Sequence, residues 1–157
     1  MEIWIVPSIN EQTKLARLSS LEGVKLSPNN MEVRIWHGFG LIVPQGLIIK
    51  RIDGQWSAML AASSGRKIDQ PKSGWESCWI RLTNAGLLKL PDATRLGKEP
   101  VDPDVLSYVV ELNVNGEYRS YHYTYPEASE HEEAKRMMQI GEIIADEFGL
   151  PQFKTRV

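Results

Sequence analysis

His122 and Glu111 are the two residues best placed for acid–base chemistry, and they lie on either side of the dipeptide Asn115-Gly116. If that dipeptide turns a hairpin, both side chains fall on one face as diagonal neighbours within reach of each other. A histidine acting as general base beside a carboxylate would serve a small metal-independent hydrolase or isomerase. The pattern supplies no nucleophile, no metal and no third group to orient the imidazole. Cys78 is the only thiol in the chain. It stands with Trp75, Trp79 and Leu82 at i, i+3, i+4 and i+7, an apolar helix face. That setting predicts a buried, inert thiol rather than the electropositive site a nucleophilic thiolate needs.

Metal and phosphate motifs fail on spacing. His37, His122 and His131 do not fall at ligand intervals, and a single cysteine excludes a multi-cysteine zinc site. His131-Glu132-Glu133-Ala134-Lys135 begins like a zinc-protease helix but has lysine where the second histidine belongs. Asp92, Asp102 and Asp104 lack the order of a calcium loop and read as solvated surface carboxylates. Gly38-Phe39-Gly40 lacks the third glycine of a dinucleotide fingerprint, and Pro44-Gln45-Gly46 follows in place of a helix. No Walker loop and no Gly-x-Ser-x-Gly elbow occur. The expectation is no catalytic residue set, no metal and no tightly bound cofactor.

Composition narrows the partners. The 157 residues are 42% hydrophobic and 24% charged, which is ordinary for a globular chain and long enough for its own core. Lys+Arg 18 against Asp+Glu 20 leaves a net charge of −2, so no broad basic field attracts nucleic acid. No apolar run approaches the ~18 residues of a transmembrane segment. The N-terminus, Met1 to Pro7, lacks the basic region and the ~7–15-residue apolar core of a signal peptide. The chain is therefore expected to be soluble, and either cytoplasmic or a mature exported form whose leader is not shown.

The elements that must position these groups follow from periodicity. Residues 31–37 alternate apolar and polar as a half-buried strand. Residues 47–52 and 55–60 flank Asp53-Gly54, and 108–114 and 117–125 flank Asn115-Gly116, each a two-residue hairpin signal. Capping boxes at Ser73 to Glu76 and Ser129 to Glu132 precede two helices, ended near Gly86 and Gly149. Residues 63–74 and 91–104 read as loops. In residues 1–30, an apolar run Ile3 to Val6 precedes Asn10, a candidate N-cap for a helix carrying Leu15, Leu18 and Leu21 and closed by Gly23. The predicted fold class is α+β, an antiparallel sheet built from a strand and two hairpins with two capped helices packed on one face. No long linker divides the chain, so 1–157 reads as one domain, with 1–30 as a segment able to dock on it.

Hairpin turns also set which way side chains point. With Val114 opposite Glu117, Tyr108, Val110, Leu112, Tyr121, Tyr123 and Tyr125 share the helix side. The tyrosines there serve the core with hydroxyls at its rim, because a base-stacking platform would need a basic surround. With Ile52 opposite Gln55, Leu47, Ile49, Ala58 and Leu60 join them, and Arg51 can lie over Trp56. The far face gathers Arg34, Trp36, Lys50, Met59, Glu111, Tyr118 and His122, a set rich in anchoring groups. The leading functional reading is a non-catalytic interaction or binding protein, an inhibitor, immunity-type or accessory module. It would act through this open face on a protein partner or a second copy. The other reading is the hydrolase or isomerase of His122 and Glu111. Residues 1–30 would cover the face if they docked across it.

Overall fold

Alternating side chains and two tight turns produce the sheet that was expected, and a computed structural model describes it for residues 5–40, 42–97 and 106–154. In chain order the elements are helix α1 (Ile5–Leu15), strands β1 (Met31–Phe39), β2 (Ile42–Ile52), β3 (Gln55–Ala61) and β4 (Gly65–Ile68), helix α2 (Trp75–Asn84), strands β5 (Ser107–Val114) and β6 (Glu117–Thr124), and helix α3 (Glu132–Phe148). The six strands form one antiparallel sheet in the order β4-β3-β2-β1-β5-β6, an α+β architecture. β1 pairs with β2 on one side and β5 on the other and so joins the two hairpins. Both hairpins have the expected register, Ile52 opposite Gln55 and Val114 opposite Glu117. Their first turn residues, Asp53 and Asn115, take positive φ of 52° and 55°, as a two-residue hairpin turn requires.

One face packs against α2 and α3. Its core joins Ile35, Leu47, Ile49, Leu60, Val110 and Tyr121 from the sheet to Cys78, Leu82, Met137, Ile140 and Ile144 from the helices. Trp75, Trp79 and Phe148 pack at the border of this core, half-buried, so Trp79 is not the fully buried aromatic that its helical spacing suggested. Trp56 stacks on Trp75 at 5.1 Å, meets Trp79 at 5.4 Å and carries Arg51 on its ring at 5.3 Å, making a tryptophan layer at the core's edge. Along β6, the Tyr121 and Tyr123 hydroxyls donate to the carbonyls of Leu87 and Pro91, each at 2.6 Å. Arg119 donates to those of Leu88 and Leu90. These bonds strap residues 87–91 along the outer strand.

The structure corrects the local expectations in four places. Residues 65–68, expected in a loop, form β4, because pairing with the edge of β3 outweighs a turn-like composition. Asn10 is not an N-cap; it lies inside α1, whose first turn tolerates Pro7. Leu21 belongs to a separate 3-10 turn, Leu21–Gly23, so Leu15, Leu18 and Leu21 do not share one helix face. Neither capping box forms. Gly74 precedes α2 and His131 precedes α3, with no side-chain cap at either. Ser73 instead donates its hydroxyl to Glu147 Oε2 at 2.7 Å, tying the start of α2 to the end of α3.

The largest difference is α1, which crosses the far face of the sheet. Ile5 and Ile9 pack there with Trp36, Phe39, Ile48, Ala61 and Val109, a second core that gives the sheet helices on both sides. No helix among the described residues is long and apolar enough to cross a membrane.

Close approach on the other side depends on Gly141, in the middle of α3. A Cβ there would stand 2.6 Å from the Phe153 carbonyl oxygen and against the Tyr108 hydroxyl that donates to it. Alanine normally exceeds glycine in a helix by ~1 kcal/mol. Gly141→Ala should reverse that sign and destabilise by roughly 1–3 kcal/mol through overpacking. Urea unfolding measures it, and a more stable variant would contradict this packing.

Candidate functional site

All nine residues of β1 are buried, although Glu32, Arg34 and His37 are among them. On the far face, Arg34 Nε donates to Glu32 Oε2 at 2.6 Å, and Lys50 Nζ lies 3.6 Å from Glu32 Oε1. Trp36 is wholly buried, and its ring lies against Gly46 of β2, where a Cβ would come within 2.6 Å of it. Its indole N–H donates to Glu111 Oε2 at 2.8 Å, while the Tyr118 hydroxyl donates to Glu111 Oε1 at 3.0 Å. Burial, reinforced by the Glu111 carboxylate, pushes the Tyr118 hydroxyl well above its ordinary range. Asn113 Nδ2 donates to the carbonyls of Leu21 and Val24 and so holds the segment after α1 across β5.

The far face is therefore open only in part. Of the seven residues that were expected to share it, Arg34, Trp36, Glu111 and His122 are buried, whereas Lys50, Met59 and Tyr118 are half-buried. The physical reason is the apolar content of the face: Trp36, Ile48 and Val109 need a cover, and α1 supplies it. Beside α1, over β2, β3 and β4, lies a depression of about 250 Å³ lined by Ile48, Lys50, Ser57, Met59 and Lys67.

Glu111 and His122 are not assembled as an acid–base pair. Both Glu111 oxygens accept from Trp36 and Tyr118. His122, 1% exposed, places Nδ1 2.8 Å from Asp92 Oδ1, which also accepts from the His122 backbone N–H. Asp92 is thus half-buried and bonded, not the solvated carboxylate its loop composition suggested. Burial pushes its carboxyl up, but hydrogen bonds from Thr94 and from the His122 backbone outweigh this and hold it below the ordinary range. Cys78 is buried as expected, and burial together with the Glu147 carboxylate pushes its thiol up to about 12. No group of three or more His, Cys, Asp and Glu able to hold a metal ion occurs among the described residues.

A site that no sequence motif marks lies at the other end of β1, on the helix side. His37, 6% exposed, stacks on Tyr108 at 3.9 Å between ring centroids and 17° between planes. Its Nδ1 stands 3.0 Å from the Ser107 carbonyl oxygen. A carbonyl only accepts, so Nδ1 carries the proton and Nε2 presents a lone pair. Nε2 is buried and has no hydrogen-bond partner among the described residues. Burial lowers the imidazole pKa to about 4, partly opposed by the Ser107 bond, so the ring is neutral near pH 7. His37 lines a cavity of about 290 Å³ whose walls include Ile42, Val43, Leu106 and Phe153. His37 shares this face with Val33 and Ile35, and the cavity joins residues from three distant parts of the chain.

Comparison with protein-family models, with curated proteins and with solved structures gave no match, so the reading of these sites rests on their chemistry. That chemistry fixes the pH dependence of stability. The unfolded chain binds a proton at His37 near pH 6.5 and the folded chain only near about 4, so acidification across this window favours unfolding. The contribution of His37 should be a loss of roughly 3 kcal/mol between those limits. Subtracting the stability–pH curve of His37→Phe from that of the wild type isolates it, and parallel curves would contradict a neutral buried ring.

Proposed function

We propose that the protein is a non-catalytic binding module that meets a protein partner on the strip of sheet beside α1. The observation that carries this reading is the grouping of Lys50, Met59 and Lys67 around a depression floored by Ile48. Methionine adapts its shape to a partner's apolar side chain, and flanking lysines favour an acidic rim around that anchor. β4, the outermost strand on this side, adds Arg66, and Gly65, Arg66 and Lys67 are all exposed. The hydrolase or isomerase reading draws less support, since Glu111 and His122 are each bonded elsewhere.

A photo-cross-linking amino acid in place of Met59 tests this in extracts of the source cells. The expected result is an adduct of defined mass whose yield falls about tenfold in the Lys50→Glu, Lys67→Glu variant, as expected when rim charges steer the encounter. Sedimentation of the purified chain distinguishes a second copy from a different partner. No adduct, or one whose yield the charge reversal leaves unchanged, would contradict the proposal.

A further inference from the structure

The cavity at His37 lies on the opposite side of the sheet from the proposed partner strip, at the end of β1 where the 3-10 turn Pro151–Phe153 packs. Three observations converge on it. The imidazole is held in one orientation, stacked on Tyr108 and anchored through Nδ1 to the Ser107 carbonyl, while Nε2 is an acceptor with no donor among the described residues. Tyr108 is itself tied to the Phe153 carbonyl, so the aromatic wall behind the ring is fixed. Ile42 and Val43 also line the cavity and are exposed, at 54% and 60%. Large aliphatic side chains so exposed beside a cavity mark a place where apolar surface is covered by something else.

We propose that this cavity binds a small, largely apolar molecule that presents a hydrogen-bond donor, a hydroxyl or N–H, to His37 Nε2. An apolar cavity of about 150 Å³ holds a benzene ring, so one of about 290 Å³ suits a molecule of two six-membered rings. The chemistry selects the donor: a neutral ring already donating through Nδ1 repels a second acceptor at Nε2 and rewards a donor there. Nε2 is shielded from bulk water, so the ligand enters with a local shift of the lining side chains. Gln152 and Lys154, both exposed, can give way, and the hydrogen bond from Gln152 to Gln45 at 3.0 Å is the contact that opens.

The probes are 2-naphthol, which has the donor, and 2-methoxynaphthalene, which has nearly the same shape without it. Titrated into the full chain, 2-naphthol should bind about tenfold more tightly than the methyl ether, the worth of one hydrogen bond. Long-range proton–nitrogen spectra of the labelled protein should show the His37 Nε2 resonance moving on addition of 2-naphthol. His37→Phe should bring the two probes to equal affinity. Ile42→Glu, at an exposed wall position that the core does not need, should weaken both and keeps the test open if His37→Phe does not fold. Equal affinities in the wild type, absence of saturable binding, an unmoved Nε2 resonance, or binding indifferent to Ile42→Glu would each overturn the proposal.

Discussion

A strand in the middle of a sheet and covered on both faces has to match every polar side chain it carries from within the protein. β1 is such a strand, and it brings Glu32, Arg34, Trp36 and His37 into the interior. The solution differs along its length. Glu32 and Arg34 bond each other, with Lys50 reaching in from the half-exposed border. Trp36 is served from the neighbouring strand by Glu111, which Tyr118 then completes. His37 is served on one nitrogen by Ser107. Removing one member of such a set leaves the other buried without a partner, which costs more than the pair contributes.

This constraint explains why α1 and the segment after it belong to the fold. The indole of Trp36 lies flat against Gly46, and without a cover the far face would expose Trp36, Ile48 and Val109 to water. α1 buries them, and Asn113 ties down the chain that follows by bonding the Leu21 and Val24 carbonyls. The opposite edge of the sheet is closed in a comparable way. Residues 87–92 run beside β6, held by Arg119, Tyr121, Tyr123 and the His122–Asp92 pair. His122 and Asp92 thereby act as structural fasteners, and the tyrosine row has its hydroxyls on backbone carbonyls. β4 keeps a charged outer edge, with Arg66 and Lys67 exposed, a pattern that discourages unspecific strand pairing.

What could be read from residue order was whatever is decided locally. Asp53-Gly54 and Asn115-Gly116 specify their turns within two residues, and from the turns follow the registers and the faces of Leu47, Val110 and Tyr121. The placing of Arg51 over Trp56 followed from the same register. What could not be read is decided by distant partners. Ser73 had the spacing of a cap, but Glu147, 74 residues away, competes for its hydroxyl. Gly65 to Ile68 have loop composition, yet the open edge of β3 makes them a strand. The strand registers put the far-face residues on one side of the sheet, but whether they faced water depended on α1, whose own sequence does not state which surface it will meet. The His37 cavity was hidden for the same reason, since its walls come from residues 42–45, 106 and 152–154.

α1 seals the part of the far face that carries Trp36, and the Trp36 indole N–H reports on that seal directly. Hydrogen exchange followed by nuclear magnetic resonance would compare it with the indoles of Trp56, Trp75 and Trp79, which are half-buried. A Trp36 N–H bonded to Glu111 beneath α1 should exchange only with global unfolding, long after the other three. If it exchanges along with them, α1 does not seal the face, and the covered-sheet architecture described for this protein is wrong.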